Sequence, residues 1–201
     1  MPKNPFIVLD GLDGSGKGEM IKKLAQYLLK KNFKVLVTKE PTDGVYGKQV
    51  KEILTNEKDP KASAEKCLKL FVKDREEHLA KEIEPFLKKG IVICDRYYYS
   101  TIAFQHTQGI PLTNLVVENM PFRTPDITFI LDLPAEMALE RIAKRGSPKE
   151  KFEQFEFMRN LRKNFLELKE HLEDNIKIID ASKSKSDVFK QIKEEIDNLL
   201  L

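Results

Sequence analysis

Phe6-Ile7-Val8-Leu9-Asp10, followed at once by Gly11-Leu12-Asp13-Gly14-Ser15-Gly16-Lys17-Gly18-Glu19, is the stretch that decides how this chain is read. A short apolar run closes on an acid, a glycine-rich turn follows, and helical spacing begins directly after it. The run is too short for a helix, and its near-continuous apolarity reads as a strand buried on both faces. The turn has G-x-x-x-x-G-K spacing. Its glycines let the backbone bend tightly, so that successive N–H groups point inward at phosphate oxygens. The N-terminus of the following helix adds partial positive charge, and Lys17 is placed to bridge the β and γ phosphates of a nucleotide. Gly11, Leu12, Asp13, Gly14, Ser15, Gly16, Lys17, Gly18 and Glu19 are therefore assigned to nucleotide binding. The plain alternative is a flexible glycine turn with an exposed lysine, and the strand before and helix after it make that reading weak. The motif ordinarily has Ser or Thr after the lysine, to ligate Mg²⁺. Here the chain has Gly18 and then Glu19, a carboxylate close to the phosphates.

Four more short apolar runs follow at 35–38, 91–95, 127–133 and 176–180, each rich in Val, Ile, Leu or Phe. Between them lie stretches with helical spacing. In 19–31, Ile21, Leu24, Ala25 and Leu28 share one face. Residues 63–89 read as one long helix bent near Pro85, and 135–145, 152–173 and 186–201 complete the set. Strand and helix alternating in this way predict a three-layer α/β fold with a parallel sheet and right-handed crossovers. No internal repeat or low-complexity linker divides the chain, so residues 1–201 are read as a single domain. A charged run at 144–151, with Gly146 and Pro148, is a loop between two helices.

Composition narrows the class. The 201 residues are 41 % hydrophobic and 33 % charged, a globular balance with enough chain for one core. Lys and Arg number 35 against 32 Asp and Glu, a formal charge of +3. So small a surplus argues against a dedicated nucleic-acid binder, which needs a concentrated basic face. Cys67 and Cys94 lack metal-ligand spacing and make no secreted disulfide framework. No apolar span approaches the ~20 residues of a membrane helix, and no signal-like segment opens the sequence. A cytoplasmic protein that binds neither nucleic acid nor membrane is expected.

The third apolar run leads into Asp95-Arg96-Tyr97-Tyr98-Tyr99-Ser100-Thr101-Ile102-Ala103-Phe104-Gln105. This resembles the D-R-Y/H-x-x-S-x-x-A-Y-Q stretch of thymidylate kinases, with Phe104 in place of tyrosine. Other segments agree in order: Lys39-Glu40-Pro41 with the family's R-E-P, and Leu70-Phe71 with Arg75 four residues on with L-F-x-x-x-R. Residues 124–132 resemble R-P-D-L-T-F-x-L-D, and Ile179-Asp180-Ala181-Ser182 the loop on the adenine side. The resemblance covers essentially the whole chain. It implies a P-loop NTPase fold with a five-stranded parallel sheet in the order 2-3-1-4-5, a short lid at about 145–153, ATP as donor, Mg²⁺, dTMP as acceptor and a homodimer.

Roles follow from the resemblance, residue by residue. Arg96 contacts the acceptor phosphate, its forked donors suiting bidentate binding, and Asp95 orients that arginine or the waters of Mg²⁺. Phe71 stacks on the thymine and Arg75 reaches its exocyclic oxygen; four residues apart on a helix, they share a face. Read by periodicity alone, Phe71 would be ordinary core and Arg75 a surface cation. Glu40 and Pro41 border the acceptor, Ser100, Thr101 and Gln105 supply polar contacts, and Phe104 crowds the sugar's 2′ position. Asp13 meets the acceptor's 3′-hydroxyl and, with Asp95, holds the metal through water. Arg141 stacks near adenine, beside Ala181 and Ser182. Because the loop has Gly14-Ser15 where some relatives carry arginine, charge compensation falls to Arg145 and Lys151 of the lid. Two other readings stay open: a UMP/CMP or other deoxynucleotide kinase on the same fold, and a P-loop ATPase switch with no small acceptor.

Overall fold

The computed structural model describes residues 4–56, 63–144 and 153–201. The five apolar runs form strands β1 (Phe6–Gly11), β2 (Val35–Lys39), β3 (Ile91–Asp95), β4 (Ile127–Asp132) and β5 (Ile176–Asp180). All neighbouring pairs are parallel and the order is β2-β3-β1-β4-β5, as expected. Strand β1 lies centrally, which is why all six of its residues are buried. Burial on both faces does not extend to β2: at the sheet's edge, it leaves Val37 48 % exposed.

Parallel strands need crossovers, and the chain supplies helices. These are α1 (Lys17–Lys30), α2 (Val45–Asn56), α3 (Ala64–His78), α4 (Glu84–Leu87), α5 (Tyr98–Thr107), α6 (Leu112–Asn119), α7 (Ala135–Ala143), α8 (Glu153–His171) and α9 (Lys185–Leu200). α1 packs with α9, and α5 packs with α8, α3 and α6. The long helix expected over 63–89 is interrupted. A π-helical turn at Leu79–Ile83 separates α3 from α4, just ahead of Pro85. Proline has no N–H to return to the carbonyl of Lys81, and the widened turn absorbs that lost bond. The helices α2, α5 and α6 were not expected from spacing. α5 buries Tyr98, Tyr99, Thr101, Ile102, Ala103 and Gln105, so apolar and polar residues alike face inward and no amphipathic stripe marks it.

Strand order positions the site. β1 sits between β3 and β4, with Leu9 opposite Asp95 and Gly11 opposite Leu131. The turns after β1, β3 and β4 therefore open together at the carboxyl edge of the sheet, where α/β folds bind ligands. The expected lid, including Arg145 and Lys151, lies outside the described residues apart from Glu153. Among the described residues, no helix is long and apolar enough to cross a membrane.

Candidate active site

The loop after β1 is built by backbone. Gly11 has φ +127° and an added Cβ would meet the Leu131 carbonyl oxygen at 2.6 Å; Gly14 has φ +82° and would meet that of Ala138 at 2.7 Å. A side chain at either position is excluded by both the dihedral and the approach of β4 or α7. The Ser15 N–H donates to the Leu12 carbonyl at 3.2 Å, and Gly16 caps α1 without a side-chain bond. The first N–H groups of α1 thus open toward the loop without a side-chain cap, the arrangement that attracts anions. Lys17 is 7 % exposed, and its Nζ donates to the carbonyls of Gly11 at 3.0 Å and Leu12 at 2.9 Å. Burial, with repulsion from Arg96, lowers its pKa to about 8 despite Asp13, Asp95 and Asp10 nearby.

Beside this loop, the turn after β3 presents Arg96 in a left-handed conformation, φ +68°. Its guanidinium donates to the Gly11 carbonyl at 3.3 Å, to Ser100 Oγ at 2.8 Å and to Asp13 Oδ1 at 2.6 Å. Burial opposes its charge, but Asp13, Asp10 and Asp95 more than offset that and raise its pKa. Asp10 is the anchor. It is fully buried and accepts from the N–H groups of Gly11, Tyr97 and Ser100 and from the Ser100 hydroxyl. One carboxylate thereby fixes the turns after β1 and β3 to each other.

A cavity of about 180 Å³ adjoins Arg96. Its walls include every residue assigned to the acceptor: Asp13, Glu40, Pro41, Phe71, Arg75, Arg96, Ser100, Thr101, Phe104 and Gln105. They come from four separate segments of the chain, at 13, 40–41, 71–75 and 96–105. Arg75 is no surface cation; it is fully buried. Its Nε and Nη2 lie 2.9 and 2.8 Å from Glu40 Oε2, Nη1 donates to Asn119 at 2.6 Å and Nη2 to Thr101 at 2.8 Å. The Tyr97 and Phe122 rings lie 5.1 and 5.4 Å from its guanidinium carbon. The Phe104 ring lies 5.8 Å from that of Arg96.

A phosphate-binding loop opening beside a polar, aromatic-walled cavity suits a donor and an acceptor held face to face. Comparison with known proteins decides which. The family model for thymidylate kinase matches residues 9–192. The chain belongs to the thymidylate kinase family. A probable thymidylate kinase of Pyrococcus horikoshii is 40 % identical over 200 residues, covering 98 % of this chain and 97 % of that one. One from Thermococcus kodakarensis is 40 % identical over 202 residues, 97 % and 98 % of the two chains. A thymidylate kinase of Carboxydothermus hydrogenoformans is 35 % identical over 204 residues, 98 % of each.

The residues expected from sequence to meet the donor and the metal are tied less closely in this thymidylate kinase-family chain than those of the cavity. Arg141 bridges the loop and the turn after β5, its guanidinium 3.4 Å from the Gly14 carbonyl and 3.3 Å from that of Ala181. Ser182 is turned onto Asp180, its N–H and hydroxyl both on Oδ1. Glu19 points away toward α9, where its carboxylate lies 3.7 Å from Lys185 Nζ and is 42 % exposed. Asp95 Oδ1, by contrast, is buried with no hydrogen-bond partner. Burial raises the Asp95 pKa, against the pull of Lys17 and Arg96. Among the described residues no group of three His, Cys, Asp or Glu could cage a metal.

Sequence reading missed Asp10 and Asn119, which hold Arg96 and Arg75 respectively. Asp10 did carry a signal, as the one charge closing an otherwise apolar strand. Asn119 carried none: it lies 44 residues from Arg75 and only the fold brings them together.

Proposed function

We propose that this chain performs its family's reaction, transfer of the γ-phosphoryl group of ATP to dTMP to give dTDP, with ATP on Gly11–Gly18 and dTMP in the adjoining cavity. The observation that carries the residue roles is the convergence of all ten acceptor residues on one cavity that Arg96 shares with the phosphate loop. Phosphoryl transfer asks for alignment of two anions and neutralisation of charge on the moving group. Arg96 takes the acceptor phosphate, and Asp13 releases its hold on Arg96 to meet the sugar. Lys17 leaves the carbonyls of Gly11 and Leu12 for the β and γ phosphates. Phe71 faces the base and Arg75 offers it a donor. Arg145 and Lys151 supply the lid's cations.

Mg²⁺ fits this site on one observation, the orphaned and buried Asp95 Oδ1, an acceptor suited to a metal-bound water. With no hydroxyl at Gly18, Asp95 and Asp13 would hold such an ion through its waters. When bound, Mg²⁺ neutralises charge on the transferred phosphoryl group.

A homodimer is also part of this reading. α3, the π-helical turn and α6 border a shallow groove with Val72, Leu79, Ala80, Pro121 and Phe122 on its walls. Val117 and Met120 stand 64 % and 73 % exposed close by. Met120→Asp should convert dimers to monomers in light scattering. Cytoplasmic residence is in keeping with Cys67 and Cys94 as buried thiols.

The test is a coupled assay of ADP formation with dTMP, UMP, CMP or no acceptor. ADP should form stoichiometrically with dTMP and stay at background without an acceptor. Faster turnover of UMP or CMP would move the acceptor assignment, and acceptor-independent ADP formation would favour an ATPase switch.

A further inference from the structure

Behind the cavity wall lies a buried histidine that the reaction does not use directly. His78 follows Arg75 by three residues on α3, so the two share a face. Its side chain is 1 % exposed, and that of Glu40 is 3 % exposed. The Glu40 carboxylate is divided between them. Oε2 takes Nε and Nη2 of Arg75, whereas Oε1 lies 3.1 Å from His78 Nδ1. On the far side of the ring, Nε2 lies 2.8 Å from Thr38 Oγ1 and 3.1 Å from Glu82 Oε2. Thr38 and Glu82 border a different, open groove that runs along α1 and β2.

We propose that His78 is a positioning residue for the acceptor site, holding Glu40 so that Glu40 in turn holds Arg75. The argument rests on the reading of the cavity as the dTMP site. A buried carboxylate oxygen left without a donor carries its full desolvation cost. Among the described residues the imidazole is the donor that spares Glu40 that cost at Oε1, since Arg75 is committed to Oε2. A carboxylate accepts and never donates, so Nδ1 carries the proton of this bond. Deprived of it, Glu40 gains by turning Oε1 toward water or toward Arg75, and either motion breaks the paired contact at Oε2. Arg75 then shifts against Thr101 and Asn119, and the donor it offers to the cavity moves with it. A displacement of about 1 Å at such a group is enough to weaken binding strongly. His78 thus acts on the acceptor side alone. The phosphate loop is anchored separately, through Asp10.

Two substitutions separate this role from simple packing. In His78→Asn the amide nitrogen falls near the Nδ1 position and keeps the bond to Glu40. In His78→Gln it reaches the Nε2 position, serving Thr38 and Glu82 while leaving Glu40 Oε1 without a donor. Steady-state kinetics on both, with Phe71→Ala as a control for the cavity, reads the outcome. His78→Gln should raise KM for dTMP by about tenfold, with KM for ATP and kcat within about threefold of wild type. His78→Asn should restore KM for dTMP to within about threefold. Equal behaviour of the two variants, or losses shared evenly by both substrates, would overturn the proposal. Failure of either variant to fold would also count against it, since the role assigned here leaves the fold intact. If Phe71→Ala leaves KM for dTMP unchanged, the cavity assignment itself is wrong. If Phe71→Ala raises it and His78→Gln does not, only the role of His78 falls.

Discussion

The proposed donor loop and the proposed acceptor cavity adjoin each other and are held by opposite means. The loop at 11–18 is shaped by backbone: glycines at positive φ packed against carbonyls of β4 and α7, and a lysine folded onto its own loop. The cavity is shaped by side chains, with Arg75, Glu40, His78, Asn119 and Thr101 tied in one buried network. Lys17 must leave two carbonyls to reach a phosphate, so the donor site reorganises when its ligand arrives. Arg75 is already held at all three of its nitrogens. On the proposed function the part of the acceptor site around Arg75 is already tied together, and the contrast can be attacked from either side.

The largest expected effect is on the donor side. Lys17→Ala removes the cation at the β and γ phosphates, where stabilisation is realised in the transition state. The fold should survive, because among the described residues Nζ bonds to the carbonyls of Gly11 and Leu12 alone. Transfer measured by the coupled assay should fall by far more than about tenfold; a folded variant that keeps more than about a tenth of the wild-type rate would remove Lys17 from the mechanism.

On the acceptor side the structure makes stability and function inseparable for one residue. Arg75→Ala leaves Glu40 Oε2 buried without a donor, a loss of about 3–5 kcal/mol of stability in denaturant unfolding. Arg75→Lys keeps the charge but not the planar fork. It should remain folded and show a raised KM for dTMP with KM for ATP almost unmoved. Equal losses on both substrates would place Arg75 outside acceptor recognition.

What the sequence disclosed follows the same division. The donor loop was legible because it is local: strand, glycines, lysine and helix are contiguous, and each has a fixed backbone reason. The sheet order and the acceptor residues became legible through the family resemblance, since the cavity draws on segments as far apart as Asp13 and Gln105. The residues that hold those side chains stayed hidden. Asn119 has no motif beside it, and His78, though three residues after Arg75, shows its partners only when β2 is laid beside α3. Helix α5 escaped because six of its ten residues are buried and none is fully exposed, which erases periodicity. Pro85 showed where the long helix would falter, though not that a π-helical turn would take up the strain.

The depressed pKa of Lys17, about 8 against 10.5 ordinarily, gives the donor side a pH signature. Between those values the unfolded chain holds this proton and the folded one does not, so this group makes stability rise with pH across that window. Phosphate should restore the charge. ATP binding near pH ~8.5 is therefore accompanied by proton uptake that is weaker at about pH 7. Calorimetry in buffers of different ionisation enthalpy reads this directly, and equal uptake at both pH values would mean that Lys17 is already fully charged.

The smallest effect belongs to Glu19. Its contact with Lys185 is exposed and worth about 0–1 kcal/mol. Glu19→Thr should leave ATP binding unchanged or slightly tighter while transfer persists. A fall in kcat of about tenfold, partly rescued by high Mg²⁺, would show instead that this carboxylate serves the metal.

The central claim, that a formed acceptor cavity stands beside a donor loop that must rearrange, is tested most directly by titrating dTMP into the protein without ATP or Mg²⁺. Calorimetry should find one dTMP per chain. Binding should be lost in Phe71→Ala and retained within about threefold in Lys17→Ala. Binding that vanishes in Lys17→Ala and persists in Phe71→Ala would contradict the account.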